Sequence, residues 1–201
     1  MATKRPIHVL ARSAPVAPLA RTMADAFQDD PGLSYVVPEA KRRRAMLPRF
    51  FAVMIAQSFR GGEVLASPGG EAVSLYYPPG PVKDGALALL RDNLRLATQF
   101  GRALPRGLRV AAAMHAHHPD PQPYDYLRYV GVSKAAQGKG WGGAIVRAGI
   151  ERAARQGRGV LLETATRSNV AIYTRLGFEI AEEWRVPGGG PEFWTMIHPA
   201  P

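Results

Sequence analysis

A glycine-rich segment, Gln137-Gly138-Lys139-Gly140-Trp141-Gly142-Gly143, constrains the fold of this chain more than any other part of its sequence. It lies between a predicted strand, residues 124–132, and a predicted helix, residues 141–156. Glycines allow backbone conformations that other residues rarely adopt, and they let a ligand approach the main chain closely. The N–H groups of such a loop and of the first helical turn converge on one point, which suits an anion. The segment therefore predicts a phosphate-binding loop, to which Lys139 adds charge and Gln137 an amide donor.

Two other nucleotide-binding patterns fit this segment less well. As G-x-G-x-x-G it matches a dinucleotide fingerprint, with Glu163 placed 20 residues after Gly143 at the end of a predicted strand. Against this, residues 133–137 separate the strand from the first glycine, and only 38 residues follow Glu163. A P-loop is excluded because no Ser or Thr follows Lys139. A nucleotide-dependent oxidoreductase remains as an alternative hypothesis.

Chain length and composition limit the classes of protein that come into question. With 201 residues, of which 46% are hydrophobic, we predict one domain spanning 1–201. We expect a cytoplasmic protein without a membrane partner, because no apolar run reaches the roughly 18 residues of a membrane span and the N-terminal stretch has no signal-peptide core. The absence of cysteine excludes disulfides and a cysteinyl intermediate. We expect no metal, and we interpret the adjacent His117 and His118 as a solvated helix end.

The charge of the chain is strongly positive, at +10 with a pI of about 10.4. Such a charge favours either nucleic acid or a polyanionic small ligand, for example a nucleotide-bearing cofactor. The clearest basic run, Lys41-Arg42-Arg43-Arg44, precedes a helical pattern and has no interleaved aromatic residues. We interpret this run as a solvated helix start. A basic nucleic-acid-binding module is thus a second alternative, which the sequence disfavours.

Apolar periodicity and turn residues predict a mixed α/β chain. The predicted strands, in chain order, are residues 7–14, 63–67, 72–77, 124–132, 160–162, 178–186 and 192–198. The predicted helices are residues 19–27, 39–59, 84–102, 108–117, 141–156 and 168–176. The alternation of strands and helices in the second half implies a partly parallel sheet flanked by helices.

Three ordered sequence blocks carry a family resemblance. Residues 137–142 have the form Q/R-x-x-G-x-G/A, Leu162-Glu163-Thr164 follows on the next strand, and residues 169–178 read N-x-x-x-Y-x-x-x-G-F. Over residues 124–179 the chain resembles the GNAT superfamily of acetyl-CoA-dependent N-acetyltransferases. The resemblance implies an α/β (α+β) fold with a mixed, mostly antiparallel central sheet flanked by helices, and a parallel, splayed strand pair at the cofactor site.

The resemblance also implies where acetyl-CoA, or coenzyme A, binds. The pantetheine arm would lie along the end of the strand at residues 130–132, and the pyrophosphate on the N–H groups of residues 138–143. Asn169 and Tyr173, four residues apart, share one helix face and can reach the same ligand. The predicted cofactor-binding residues are Val130, Gly131, Val132, Gln137, Gly138, Lys139, Gly140, Trp141, Gly142, Gly143, Asn169 and Tyr173.

For the chemistry, the resemblance implies transfer of an acetyl group in a ternary complex by direct attack of a primary amine, whose carrier can be a small molecule, a peptide or a protein. Tyr173 matches the tyrosine that protonates the departing sulfur. Glu163 is the first candidate for the general base, and Asp29, Asp30 and Asp125 are alternatives. The acceptor side is expected mainly from residues 1–110 and 180–201. Acyl-chain preference and oligomeric state, a homodimer included, are left open.

Overall fold

The computed structural model describes residues 5–80, 85–119 and 124–201. The strands within these ranges are β1 His8–Val9, β2 Glu63–Ala66, β3 Ala72–Tyr77, β4 Tyr124–Val132, β5 Gly159–Thr164, β6 Glu179–Arg185 and β7 Glu192–His198. The helices are α1 Val16–Ala26, α2 Pro31–Val36, α3 Ala40–Gly61, α4 Ala86–Phe100, α5 Leu104–Ala116, α6 Trp141–Ala154 and α7 Arg167–Thr174. None of these helices combines the length and the apolar character needed to cross a membrane.

The seven strands form one sheet in the order β1-β2-β3-β4-β5-β7-β6. Every neighbouring pair is antiparallel except β4 and β5, which run parallel. Because β7 lies between β5 and β6, the alternation of strands and helices in the second half produces a single parallel pair. The predicted mixed, mostly antiparallel sheet with flanking helices is confirmed.

The largest departures from the predicted elements lie near the N-terminus. The predicted strand 7–14 shortens to β1, because a turn closed by the Ala14 N–H on the Ala11 carbonyl (2.9 Å) follows it. The segment after α1, predicted only to stop a helix, also starts α2, since the Asp30 side chain accepts the Leu33 N–H at 2.8 Å. The first residue of the predicted helix 84–102 lies outside the described residues, within which α4 begins at Ala86.

The sheet separates two hydrophobic cores. Helices α1 and α3 cover one face, where Met23 and Phe51 are fully buried. Helix α6 covers the other face, where Ile145 is fully buried and the helix packs on β3, β4 and β5. Burying each of these large side chains stabilises the fold by about 1.5–3 kcal/mol. The two packed faces hold the central strands rigidly, so that the ends of β4 and β5 can serve as the frame of a site.

The basic run at the start of α3 is only partly solvated, with Lys41 and Arg44 exposed and the two arginines between them in structural contacts. The Arg43 side chain is buried, and its guanidinium donates to the carbonyls of Gln28 (2.6 Å) and Val37 (2.7 Å). Arg42 donates to the Phe100 carbonyl at 2.5 Å and so ties α3 to the end of α4. The interpretation of this run as a solvated helix start is therefore wrong for Arg43. A surface for nucleic acid is not supported here either, because the run fastens neighbouring segments.

Candidate active site

Strands β4 and β5 begin as a pair and then separate. Their parallel pairing ends at Tyr126 opposite Leu161. The register of β4 against β3 shifts at the same point, from Leu75–Tyr129 to Tyr76–Leu127, so that Arg128 is an extra residue in β4. Such a β-bulge bends its strand and increases the local twist. The bulge thus turns the end of β4 away from β5 and opens a cleft between them.

The open edge of β4 presents backbone groups to this cleft. The Ser133 N–H donates to the Glu71 carbonyl at 2.8 Å, next to the Gly131–Val73 pair, so odd-numbered residues face β3 here. By alternation, the N–H and C=O groups of Val130 and Val132 point to the side of β5. Gly131 instead allows close packing, since a Cβ there would lie 2.9 Å from the Met23 sulfur. Of the three predicted residues, Val130 and Val132 offer their backbone to the cleft.

The glycine-rich loop leads directly into α6. Gly138 and Gly140 have φ of 73° and 81°, a conformation that favours glycine. The Gln137 side chain donates to the Val132 carbonyl at 3.1 Å and so fastens the loop to the end of β4. The first N–H groups of α6 have no intrahelical acceptor, and the described residues supply no other. The loop and the first helical turn therefore form a cradle of backbone donors, and the binding of an anion there stays a prediction.

Two arginines from outside the motif join Lys139 at this cradle. The Arg5 guanidinium lies over the Trp141 ring at 4.7 Å. The Arg147 guanidinium covers the first turn of α6, where a Cβ on Gly143 would lie 3.1 Å from it. Neither arginine forms an ion pair with any residue in the described ranges. No sequence pattern indicates the contact of Arg5, which is distant in the chain, whereas Arg147 is one helical turn past Gly143.

Helix α7 supplies two of the predicted residues to the cleft. Asn169 lies one turn before Tyr173 and donates to the Thr164 hydroxyl at 3.4 Å. The Tyr173 side chain is buried, and its hydroxyl forms no hydrogen bond with the described residues. Burial, and to a smaller extent the charge of Asp30, raise the pKa of Tyr173. A neutral phenol therefore faces the cleft with its proton available.

The cleft continues into a cavity of about 870 Å³. Strands β4 and β5 form one wall, and helices α2, α4 and α5 form the opposite one. The helical wall is mostly apolar and includes Leu33, Val36, Leu96, Leu104, Leu108 and Met114. A cavity of this size and lining suits a small organic molecule with an apolar body.

A carboxylate and an imidazole meet within this cavity. The Glu163 side chain is fully buried, and its Oε1 lies 3.2 Å from Nδ1 of His118. Its Oε2 has no hydrogen-bond partner among the described residues. The His118 ring is partly exposed and packs edge-to-face on Tyr126 at 4.9 Å. Burial, followed by the nearby Glu163 carboxylate, raises the pKa of Tyr126 well above its ordinary value.

The interpretation of His118 as part of a solvated helix end is therefore incomplete, because its exposed ring also contacts the buried Glu163 carboxylate. Its neighbour His117 has a different environment, stacked on Trp184 at 4.5 Å and bonded to Glu182 at 2.9 Å. The sequence separation of 45 residues between His118 and Glu163 explains why no local pattern indicated their contact.

Comparisons with known proteins agree with this geometry. Residues 106–180 match the model of the acetyltransferase (GNAT) domain. An uncharacterized N-acetyltransferase of Schizosaccharomyces pombe is 30% identical over 172 residues, which cover 79% of this chain and 68% of that protein. The chain belongs to the GNAT acetyltransferase family.

Solved GNAT structures share the fold over nearly the whole chain. A Corynebacterium glutamicum protein named histone acetyltransferase HPA2 and related acetyltransferase is 25% identical, with a TM-score of 0.71 over 99% of this chain and 98% of its own. Arylalkylamine N-acetyltransferase 2 of Aedes aegypti is 12% identical, with a TM-score of 0.65 over 98% of this chain and 99% of its own, and shows the fold alone.

GNAT enzymes use acetyl-CoA as their acyl donor, so membership of the family implies acetyl-CoA as the donor here. The alternative of a dinucleotide-dependent oxidoreductase disagrees with the sheet, because a dinucleotide fold requires a doubly wound parallel sheet and this one contains a single parallel pair. Glu163, which that hypothesis needed for a ribose, contacts His118 in the cavity instead.

The three aspartates considered as alternative bases have different surroundings. Asp29 is exposed and bonded to Lys134 at 2.9 Å, which lowers the pKa of that carboxyl. Asp125 pairs with Arg158 at 2.7 Å, away from the cavity. Asp30 lines the cavity, where burial raises its pKa against the opposing hydrogen bonds from the Leu33 and Gly32 N–H groups. Only Asp30 shares the cavity with Glu163.

The part of the chain that the structure describes contains no group of side chains that could bind a metal ion. Within residues 5–80, 85–119 and 124–201, no three His, Asp or Glu side chains are close enough together to hold an ion. The cavity contains several groups that can move protons, among them Tyr173, Glu163, His118 and Asp30.

Proposed function

We propose that this protein transfers the acetyl group of acetyl-CoA to a primary amine bound in the cavity between β4, β5 and the helical wall. One observation carries the proposal. The open edge of β4 leads from the donor cradle of α6, which Gln137 fastens to Val132, to Val130 on the wall of a cavity that contains Tyr173 and the Glu163–His118 pair. Backbone donors suit the long polar donor molecule, and the cavity suits an acceptor.

The donor would be held mainly by main-chain groups. The backbone of Val130 and Val132 can pair with the amides of the pantetheine arm in the manner of an added strand. The N–H groups at the start of α6 and the charges of Arg5, Lys139 and Arg147 can bind the phosphates. Gln137 would act indirectly by fastening the loop to Val132. Asn169 would help to position the end of the arm beside Tyr173.

The transfer requires an unprotonated amine and an acid for the leaving sulfur. Glu163 and His118 would take the proton of the ammonium ion, and the partly exposed His118 ring would pass it to solvent. The amine nitrogen then forms a bond to the thioester carbonyl carbon while the carbon–sulfur bond breaks, and the nitrogen loses a second proton to the Glu163–His118 pair, which passes it to solvent as before. Tyr173 gives its proton to the departing thiolate and recovers one from solvent. No covalent enzyme intermediate is needed.

An amine screen tests the proposal. The purified protein is incubated with acetyl-CoA and primary amines of several classes, and CoA thiol release is followed together with the mass of each product. Amine-dependent thiol release with formation of the acetylated product is expected, and Glu163→Gln should lower it. Binding of acetyl-CoA without acetylation of any small-molecule, peptide or protein amine would contradict the proposal.

We also propose that the protein acts in the cytoplasm as a single domain, either as a monomer or as a homodimer. Cell fractionation and light scattering of the purified protein test these points. Recovery in a membrane fraction, or a larger assembly, would contradict them.

A further inference from the structure

Arg128 occupies an unusual position on the cavity wall. It is the extra residue of the β4 bulge, where two successive side chains turn to the same face of the sheet. That face is the one on which Tyr129 packs against the aromatic residues of α3. Tyr126, Arg128 and Tyr129 all line the cavity. The bulge therefore directs a cationic side chain to the acceptor side, where regular alternation would not place it beside Tyr129.

The Arg128 guanidinium has aromatic neighbours and no counter-ion among the described residues. It lies 5.7 Å from the ring centre of Tyr77 and 5.6 Å from that of Tyr129. It forms no ion pair with any residue in the described ranges, and the side chain is only partly accessible to solvent. The hydroxyls of these two tyrosines also lie within hydrogen-bonding reach of the guanidinium. Neutral phenols and ring faces nevertheless lack the negative charge of the carboxylate that a guanidinium fork fits. The group is thus positioned to receive an anion.

The other carboxyl groups of the cavity already have hydrogen-bond partners. The Asp30 carboxyl accepts the Leu33 N–H at the start of α2 at 2.8 Å. Glu163 has His118 as its partner at 3.2 Å. Within the described part of the chain, Arg128 remains as the charge on the cavity wall without a partner of opposite sign. An acceptor with a carboxylate would supply that partner.

We propose that Arg128 binds a carboxylate of the acceptor, so that the preferred acceptors are amino acids with an apolar side chain. This proposal rests on the proposed acetyl transfer. The amino group would face Glu163 and His118, the carboxylate would face Arg128 two residues beyond Tyr126 on the same strand, and the side chain would enter the apolar part of the cavity. Arginine suits this role because its planar fork binds a carboxylate through two parallel hydrogen bonds.

Matched pairs of acceptors test the proposal by kinetics. The pairs are L-phenylalanine with phenethylamine and L-leucine with isopentylamine, which differ by the carboxylate. The wild-type protein should show a kcat/KM about 10- to 100-fold higher for the amino acid of each pair, because only the amino acid forms the charged hydrogen bond with Arg128. Arg128→Met should remove this preference through a higher KM for the amino acids, Arg128→Lys should retain part of it, and acetyl-CoA affinity should not change.

Arg109→Met is the matched control, because Arg109 is an exposed arginine bonded to the Tyr35 hydroxyl at 3.1 Å. It should retain the wild-type preference. The proposal is overturned if the wild-type protein prefers the decarboxylated amines, or if Arg128→Met lowers both members of a pair equally. Acetylation of other amines but of neither pair would also overturn it, while leaving the proposed acetyl transfer intact.

A binding measurement separates the two proposals if no turnover is found. N-acetyl-L-phenylalanine and N-phenethylacetamide are titrated into the protein saturated with CoA. About 10-fold or greater preference for the carboxylated compound, lost in Arg128→Met, supports the carboxylate site whatever the turnover. Equal affinity of the two compounds for the wild-type protein would contradict it.

Discussion

The two halves of the cleft are built in different ways. The half that we propose to bind the donor consists mostly of backbone groups from segments close in sequence, residues 130–143, with α7 added. The half that we propose to bind the acceptor consists of side chains from segments far apart, namely Asp30, His118, Arg128 and Glu163. Backbone donors depend on loop conformation, which glycines encode locally, whereas a side-chain constellation depends on the tertiary fold. Donor binding should consequently be most sensitive to loop geometry, and acceptor selection to single side chains.

The largest expected effect is on the donor half. Gly140→Glu places a side chain at φ 81° and a negative charge inside the donor cradle. We expect acetyl-CoA affinity to fall at least about 100-fold, because the strain, the lost space and the charge repulsion all act at the phosphate site. Isothermal titration calorimetry measures the change.

Gly157→Glu is the matched control for this variant. Gly157 follows α6 at φ 66°, a Cβ added there would have no atom within 4 Å, and the residue lies outside the cavity. The variant should lose about 1–2 kcal/mol of stability from the same backbone strain and retain its affinity for acetyl-CoA. Equal loss of binding in both variants would show that the loop is not the donor site.

Tyr173 lies between the two halves, and loss of its hydroxyl should lower the rate of turnover. Tyr173→Phe should lower kcat by about 10²- to 10⁴-fold with unchanged acetyl-CoA affinity, because the phenol acts as a general acid. Since burial and Asp30 raise the pKa of Tyr173, the wild-type rate should not decline on the alkaline side through loss of this proton up to about pH 10. Steady-state kinetics across pH measures both.

Tyr76→Phe controls for loss of a buried phenol. The Tyr76 hydroxyl is also buried and lacks a hydrogen-bond partner in the described residues, but it packs beside Gly149 and outside the cavity. This variant should keep the wild-type kcat. If Tyr173→Phe behaves like Tyr76→Phe, the sulfur obtains its proton from another source.

Replacement of His118 tests the role of side chains on the acceptor side. His118→Ala should lower kcat/KM at neutral pH by about 10- to 100-fold, because Glu163 loses the group that passes its proton to solvent. His117→Ala is the neighbouring control, which should lower stability through its lost stacking on Trp184 and leave kcat/KM unchanged. Proton transfer from Glu163 through His118 to solvent is contradicted if the two variants show the same kinetics.

The smallest expected effect is that of Asp30→Asn on the stability of the folded protein. Burial raises the pKa of Asp30 above its ordinary 3.8, so the native state holds this proton more tightly than the unfolded state. The contribution of Asp30 to stability is therefore present below pH 3.8 and is lost as the pH rises through the raised native pKa. Asp30→Asn keeps the cap on α2. As the pH rises from about 4 to about 7, its stability relative to wild type should increase by about 1 kcal/mol or less. Urea denaturation of both proteins at the two pH values measures this difference, and a gain confined to the lower pH would contradict the prediction.

The elements that carry the proposed donor site could be predicted from the sequence because their signals are local, while donor binding there stays a prediction. The bounds of β4 agree with those predicted, and the glycine loop, Asn169 and Tyr173 lie where their motifs place them. The bulge at Arg128 has no sequence signature, because it arises from the register of β4 against β3. The Glu163–His118 contact joins two elements whose approach is set by sheet order and by the packing of α5. The periodicity of apolar residues predicts helices and strands, but it does not predict contacts between residues that are far apart in the chain.

The most direct test of the account is a calorimetric titration of the purified protein with acetyl-CoA, run beside NADH. It examines the donor cradle and the open edge of β4 without requiring the acceptor. Binding of acetyl-CoA in the micromolar range without binding of NADH is the predicted result. Binding of NADH alone, or of neither compound, would contradict the assignment of the cleft to acetyl-CoA.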